Sequence, residues 1–146
     1  MQRSVNFAGG WPGSRSTRRT KILVDRCLTP TLARALKTFG FQVLTLGEIY
    51  GNDGQHIYDT TWIADAGAND YVVFTANPAM YFVPHERAAI LAAGTKIFSI
   101  SNPQQSREGR ALIFGRHMLQ IIRRARKPGP CFWRLTPGRN VQRDIP

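Results

Sequence analysis

Two aspartates and one asparagine stand where the elements of this sequence change over. Asp25 closes the apolar run Ile22 to Val24, Asp59 opens a helical pattern in "YDTTWI", and Asn77 lies just past the strand-forming run in "YVVFTANPAM". In an open parallel sheet the carboxyl ends of strands are where functional groups collect, and a carboxylate there suits a hard cation. Each position also has an ordinary use. Asp25 reads equally as a turn or helix-cap residue, Asp59 as a helix N-cap, and Asn77 as a turn residue before Pro78. Asp65 follows Asp59 by six residues, about 240° round a helix, so the two do not share a face. Trp62 reads as core. Glu48 and Asp53 belong to the polar loop "GEIYGNDGQHIY" and could swing in, while Asp70 in "GAND" is a turn residue.

Other chemistries lack their residues. No GxGxxG follows the first strand and no GxxxxGK[ST] occurs, so dinucleotide and P-loop nucleotide binding lose their support. HExxH, GxSxG and CxxC are absent too. His56, His85 and His117 are isolated in sequence and read as structural or surface residues. Cys27 and Cys131, with no histidines at zinc-site spacing, read as reduced, buried thiols.

The elements that must position these residues follow from periodicity. "KILVDRCL" begins with a short strand, and a helix from Thr29-Pro30 carries Leu32, Ala35, Leu36 and Phe39 on one face until Gly40. "FQVLTL" is a second strand. After the polar loop a helix runs from about Asp59 to Ala66, closed by Gly67, and Tyr71 to Thr75 form a third strand. Pro84 opens the helix "PHERAAILAAG", "TKIFSI" is a fourth strand, and residues 107–127 form the longest helix. On that helix Leu112, Leu119 and Ile122 occupy one face, and Arg116, Arg123, Arg124 and Lys127 the others. "CFWRL" reads as a last strand. Strands alternating with helices imply an α/β fold with a mostly parallel sheet covered on both faces.

With 146 residues and 42% apolar content the chain suits one domain with a real core. It is expected over residues 21–136, between a disordered basic extension (1–20) and a C-terminal tail (137–146). No segment is apolar for long enough to span a membrane and no signal sequence is visible, so a cytoplasmic protein is expected. The net charge of +11 is uneven: residues 1–21 carry +5, residues 22–105 carry −2 and residues 106–146 carry +8. Basic flanks around an acidic middle fit a polyanion or an acidic protein partner, or simply a solvated surface.

Five stretches, "LVDRCL", "YDTTWIADAG", "VVFTAN", "VPHERAAIL" and "KPGPCFWRLT", occur in the order and spacing of compact PIN-like proteins. Over residues 21–136 the chain resembles the VapC-type PIN-like toxins of bacterial toxin–antitoxin pairs. The resemblance implies a three-layer α/β/α domain, an RNA substrate cut with Mg²⁺ or Mn²⁺, and a cognate antitoxin, with self-association left open. It implies Asp25, Asp59 and Asn77 as the catalytic and metal positions, Asn77 standing where a "T-x-D" acid is expected. Asn77 offers an oxygen and no charge, so the set suits one dication better than two. On this reading Asp25 is the principal ligand and Asp59 binds directly or through water. Asn77 is a neutral ligand or a donor to coordinated water, and Thr75 supports the ligands. Arg26 contacts a phosphate or pairs outward, and Arg116, Arg123, Arg124 and Lys127 track the RNA or only solvate their helix. The alternative is a PIN-like RNA- or protein-binding module with a degenerate metal site and no turnover; a receiver-like or small-molecule-binding domain is a third reading.

Overall fold

Each apolar run expected as a strand is one. A computed structural model describes Trp11, residues 20–138 and residues 141–145, apart from the side chains of Asp53 and Gln142. The strands are β1 (Lys21–Val24), β2 (Gln42–Thr45), β3 (Val72–Thr75), β4 (Lys96–Ile100), β5 (Cys131–Leu135) and β6 (Val141–Ile145). They form one sheet in the order β2-β1-β3-β4-β5-β6; the first five are parallel and β6 is antiparallel to β5. The helices are α1 (Pro30–Thr38), α2 (Leu46–Tyr50), α3 (Asp59–Ala68), α4 (Pro84–Ala93), α5 (Arg107–Arg116) and α6 (Met118–Ala125), with 3₁₀ turns at Asn52–Gly54 and Pro78–Phe82.

Alternation along the strands separates two cores, because successive side chains point to opposite faces. Ile22, Val24, Phe74 and Phe98 pack with Leu32 and Leu36 of α1, Ile113 and Phe114 of α5 and Ile121 of α6. Leu23, Val73 and Ile97 pack on the other face with Ile49 of α2, Trp62 and Ile63 of α3 and Ile90 of α4. The result is the three-layer α/β/α arrangement. β2 lies on one side of β1 and β3 on the other, so the direction of connection reverses between β1 and β3. Crevices at such a reversal, outside the carboxyl ends of the strands, are where open α/β sheets bind ligands.

Several local expectations are corrected. The single helix over 107–127 breaks at His117, whose backbone (φ −96°, ψ 6°) leaves helical geometry as its buried ring turns inward to the Thr136 carbonyl, 2.8 Å from Nε2. The break also changes which face is buried: Ile113, Phe114 and Ile121 go inside, while Leu112 and Leu119 stand 71% and 73% exposed. Gly67 is not a stop. It lies within α3 because α4 crosses closely there; a Cβ would sit 2.6 Å from the Ala93 carbonyl oxygen and from Thr95 Oγ1. The polar loop contains α2, opened by a capping box in which the Thr45 N–H donates to Glu48 and the Glu48 N–H to the Thr45 hydroxyl.

The segment read as a C-terminal tail, 137–146, holds β6, tied down by the Arg134–Asp144 ion pair (2.7 Å) and the buried Ile145. Most of the expected N-terminal extension lies outside the described residues. Trp11, within it, meets the Tyr71 ring edge-on at 4.8 Å, so that residue packs on the domain. Both cysteines are free thiols; Cys131 is buried, but the expectation of burial is corrected for Cys27, an exposed residue whose sulfur alone turns inward to Asp25, Thr75 and the Ala76 N–H. Among the described residues no helix is long and apolar enough to cross a membrane.

Candidate active site

The site grows from the end of β1. The Asp25 N–H donates to the Phe74 carbonyl (2.9 Å), extending the β1–β3 pairing by one residue and delivering Asp25 to the reversal point. Its carboxylate is 6% exposed and well supplied with donors. One oxygen accepts from the Arg26 N–H (2.6 Å), the other from the Thr75 hydroxyl (2.7 Å) and the Cys27 thiol (3.2 Å). Burial nevertheless pushes the Asp25 carboxyl above its ordinary range, the donors pulling the other way and the charge of Asp59 adding to the rise. Burial and then Asp25's charge raise the Cys27 thiol to about 11, so it stands here as a donor rather than a thiolate.

Thr75, fully buried at the end of β3, donates its hydroxyl to Asp25 and accepts the Asn77 N–H (3.1 Å). Asn77 Oδ1 accepts from the Ala79 N–H (3.1 Å), capping the Pro78–Phe82 turn. The ordinary use of Asn77 is therefore real: its side chain organises the next turn, and it is its backbone N–H that joins the Thr75 hydroxyl holding Asp25.

Asp59 begins α3 one position inside the cap, which is Tyr58, and its side chain does not cap the helix. One oxygen accepts from the Trp62 indole N–H (2.9 Å) and from Arg26 (2.8 Å). Arg26 holds more than Asp59; its guanidinium also donates to the carbonyls of Gly54 (2.7 Å) and Ile57 (3.2 Å). One cation thus closes the loop before α3 and neutralises an acid of the site.

Glu86, in the first turn of α4, is an acid that the sequence reading passed over. Its side chain is 12% exposed, and Oε1 is buried with no hydrogen-bond partner among the described residues. Burial raises its carboxyl, Asp59's charge adds to this, His85 opposes it and Asp25's charge adds again. An acid after Pro84 at a helix start has an ordinary role toward the helix dipole, and this hid it. The missed signal was its place: an acid opening the helix after β3, on the same sheet edge as Asp25. Arg110 was also missed; it donates from α5 to the Cys27 carbonyl (3.0 Å) and the Pro103 carbonyl (2.9 Å).

Three further acids have partners of their own. Glu48 is engaged in its capping box and with Lys37 (2.9 Å), Asp65 accepts from the Tyr50 hydroxyl, and Asp70 pairs with Lys96 (3.1 Å). Of the basic residues expected to meet RNA, Arg116, Arg123 and Lys127 are exposed, whereas Arg124 stacks 3.5 Å over the Trp133 ring. Beside Asp25 lies a cleft of about 660 Å³ whose lining includes Arg26, Arg34, Asn52, Gln55 and the Lys37–Glu48 pair. The donor set of Asp25, Asp59 and Glu86 matches a hard dication in its chemistry; one Glu86 oxygen lies 3.9 Å from His85 Nε2 and the other has no hydrogen-bond partner among the described residues. In the geometry with Arg26 on Asp59, no three His, Cys, Asp or Glu side chains among the described residues are grouped to hold an ion.

A family model described as "PIN like domain" matches residues 20–102, which contain Asp25, Asp59, Asn77 and Glu86. The chain belongs to this family. Among curated proteins the PIN-like chain is similar to "Putative ribonuclease VapC45" of Mycobacterium tuberculosis, 28% identical over 123 residues, which cover 83% of this chain and 89% of that protein. No solved structure matches it.

Proposed function

We propose that this PIN-like domain is the toxin of a toxin–antitoxin pair, a metal-dependent endoribonuclease that cuts RNA phosphodiester bonds at the edge shared by Asp25, Asp59 and Glu86. Glu86 carries the reading. The charge of Asp59 raises the carboxyls of both Asp25 and Glu86, that of Asp25 also raises Glu86, and Glu86 has a buried oxygen without a donor. Such a site is short of positive charge. Asp25, Asp59 and Glu86 would hold Mg²⁺ or Mn²⁺, with Asn77 able to add a neutral oxygen. When bound, the ion supplies a water of lowered pKa and screens the phosphate.

The chain's own residues do the rest. Thr75 and Cys27 fix Asp25, and Trp62 orients Asp59. Arg26, once Asp59 is neutralised otherwise, is free to take a phosphate oxygen. Arg34 and Arg26 bring cations to the cleft beside Asp25 for an RNA backbone, while Lys37 is paired there with Glu48. The similar mycobacterial protein is named as a ribonuclease, which supports the substrate class. Incubation of the purified chain with pooled RNA tests the reading. Cleavage is expected with Mn²⁺ and not in EDTA, and Asp25→Asn should lose it. Equal cleavage by Asp25→Asn would end the assignment.

A binding module without turnover is the second reading, favoured by the Arg26–Asp59 pair and by the use of Asn77 as a cap. It predicts RNA binding that persists with no Mn²⁺ uptake at all.

A further inference from the structure

Between the 3₁₀ turn that follows β3 and the start of α4, Tyr81, Phe82, Pro84, Arg87, Ala88 and Leu91 line a pocket of about 350 Å³. Its two aromatic rings are held differently. Tyr81 leans on the buried Phe132 at 5.7 Å, and Phe82 stands edge-on to Tyr81 at 5.0 Å with 62% of its surface exposed. Guanidinium groups flank both: Arg87 lies 5.2 Å from the Tyr81 ring centre and Arg134 5.8 Å from that of Phe82. Asp144 neutralises Arg134 through two hydrogen bonds, whereas Arg87 has no carboxylate partner among the described residues.

A single exposed apolar side chain is ordinary. An anchored ring presenting a second ring to solvent, beside an unpaired arginine and over a cavity suited to one small planar group, is a more specific arrangement. Stacking on aromatic side chains with a cation at the backbone is how unpaired bases of single-stranded RNA are held. Placement agrees with that use, since the 3₁₀ turn starts from the Asn77 cap and Glu86 immediately precedes Arg87.

We propose that this pocket binds a base of single-stranded RNA beside the bond to be cut, with Phe82 stacking on the base and Arg87 taking a neighbouring phosphate. The choice of RNA rests on the ribonuclease reading. The test is fluorescence anisotropy of a labelled single-stranded RNA titrated with the full chain in EDTA, where no bond is cut. Phe82→Ala should weaken binding about tenfold and Phe82→Trp should bind like the parent, because stacking needs a ring of either kind. Arg87→Ala should lower the salt dependence by about one phosphate contact. Both side chains are exposed, so melting temperatures should match the parent and certify the fold.

Parent-like binding by Phe82→Ala and Arg87→Ala would overturn the proposal even if the wild type cleaves RNA. So would a loss of self-association in place of RNA affinity, which would make the patch a protein contact, and so would a wild type that binds no RNA. Weakened binding of the variants in a chain that never cleaves with Mn²⁺ would leave the pocket standing and remove the ribonuclease reading instead.

Discussion

At the scale of single residues, Asp25 sits where function and stability oppose each other. The carboxylate is buried and its native pKa is raised, so ionising it costs the folded state free energy. Well below the ordinary value of 3.8 the group is neutral in folded and unfolded chains alike. As pH rises through the raised native value, the fold must carry a buried charge that the unfolded chain leaves in water. Asp25→Asn should therefore be the more stable protein at neutral pH, by about 2–4 °C in melting temperature per kcal/mol relieved. The advantage should shrink toward zero in acid. Thermal melts of both proteins across pH check this, and a gap that grows as pH falls would show that burial is not the dominant influence. Asn77 teaches a different lesson. Its sequence context allowed a turn role and a ligand role, and its oxygen has taken the turn role through Ala79. Which role a short polar side chain takes depends on a backbone N–H two residues away, which no spacing rule fixes.

Elements were more legible than residues. Each of β1 to β5 was read from a short β-branched or apolar run, because burial on both faces leaves a parallel strand little room for polar side chains. The helices opened by Pro30 and Pro84 began where proline's fixed φ places a helix start. Two features escaped. β6, an edge strand, reads as polar over 142–144 and so resembles a tail, because the partner of Asp144 is Arg134 on the neighbouring strand and Arg143 is exposed. The α5–α6 break escaped because Leu112 and Leu119, seven residues apart, imitate a buried stripe. The buried His117 contact with the Thr136 carbonyl holds that break, linking α6 to the end of β5. His117→Ala should cost about 1–3 kcal/mol by removing a buried hydrogen-bonding group. Urea denaturation measures it, and a loss within error would mean that the break is set by Gly115 and the backbone alone.

For the whole molecule, the charge layout is divided among elements. Of the central acids Asp25 stands at the β1–β3 reversal, whereas Glu48, Asp65 and Asp70 are each paired with other partners, and the basic C-terminal third supplies α5, α6 and the β5–β6 edge. Its arginines are not equivalent, however. Arg124 is stacked on Trp133 and burial lowers its pKa, so it serves packing first, whereas Arg123 is exposed. If this face tracks RNA, Arg123→Ala should flatten the salt dependence of single-strand binding by about 0.7 in slope. Its melting temperature should not change. Arg124→Ala should lower stability as well, since a cation–π stack of this kind is worth about 0.5–2 kcal/mol. An Arg123→Ala slope equal to the parent's would return that residue to the solvated surface.

The central claim is that Asp25, Asp59 and Glu86 form one divalent-cation site, held closed by Arg26. Calorimetric titration of Mn²⁺ into Arg26→Ala, beside the parent, reads this most directly. Removing the guanidinium frees Asp59 and takes a positive charge from the site, so affinity should rise about tenfold, equivalent to about 1.4 kcal/mol. Adding Glu86→Gln to that variant should cancel the gain. If Arg26→Ala folds and takes up Mn²⁺ no more tightly than the parent, the three acids do not act as one site and the account is wrong at its centre.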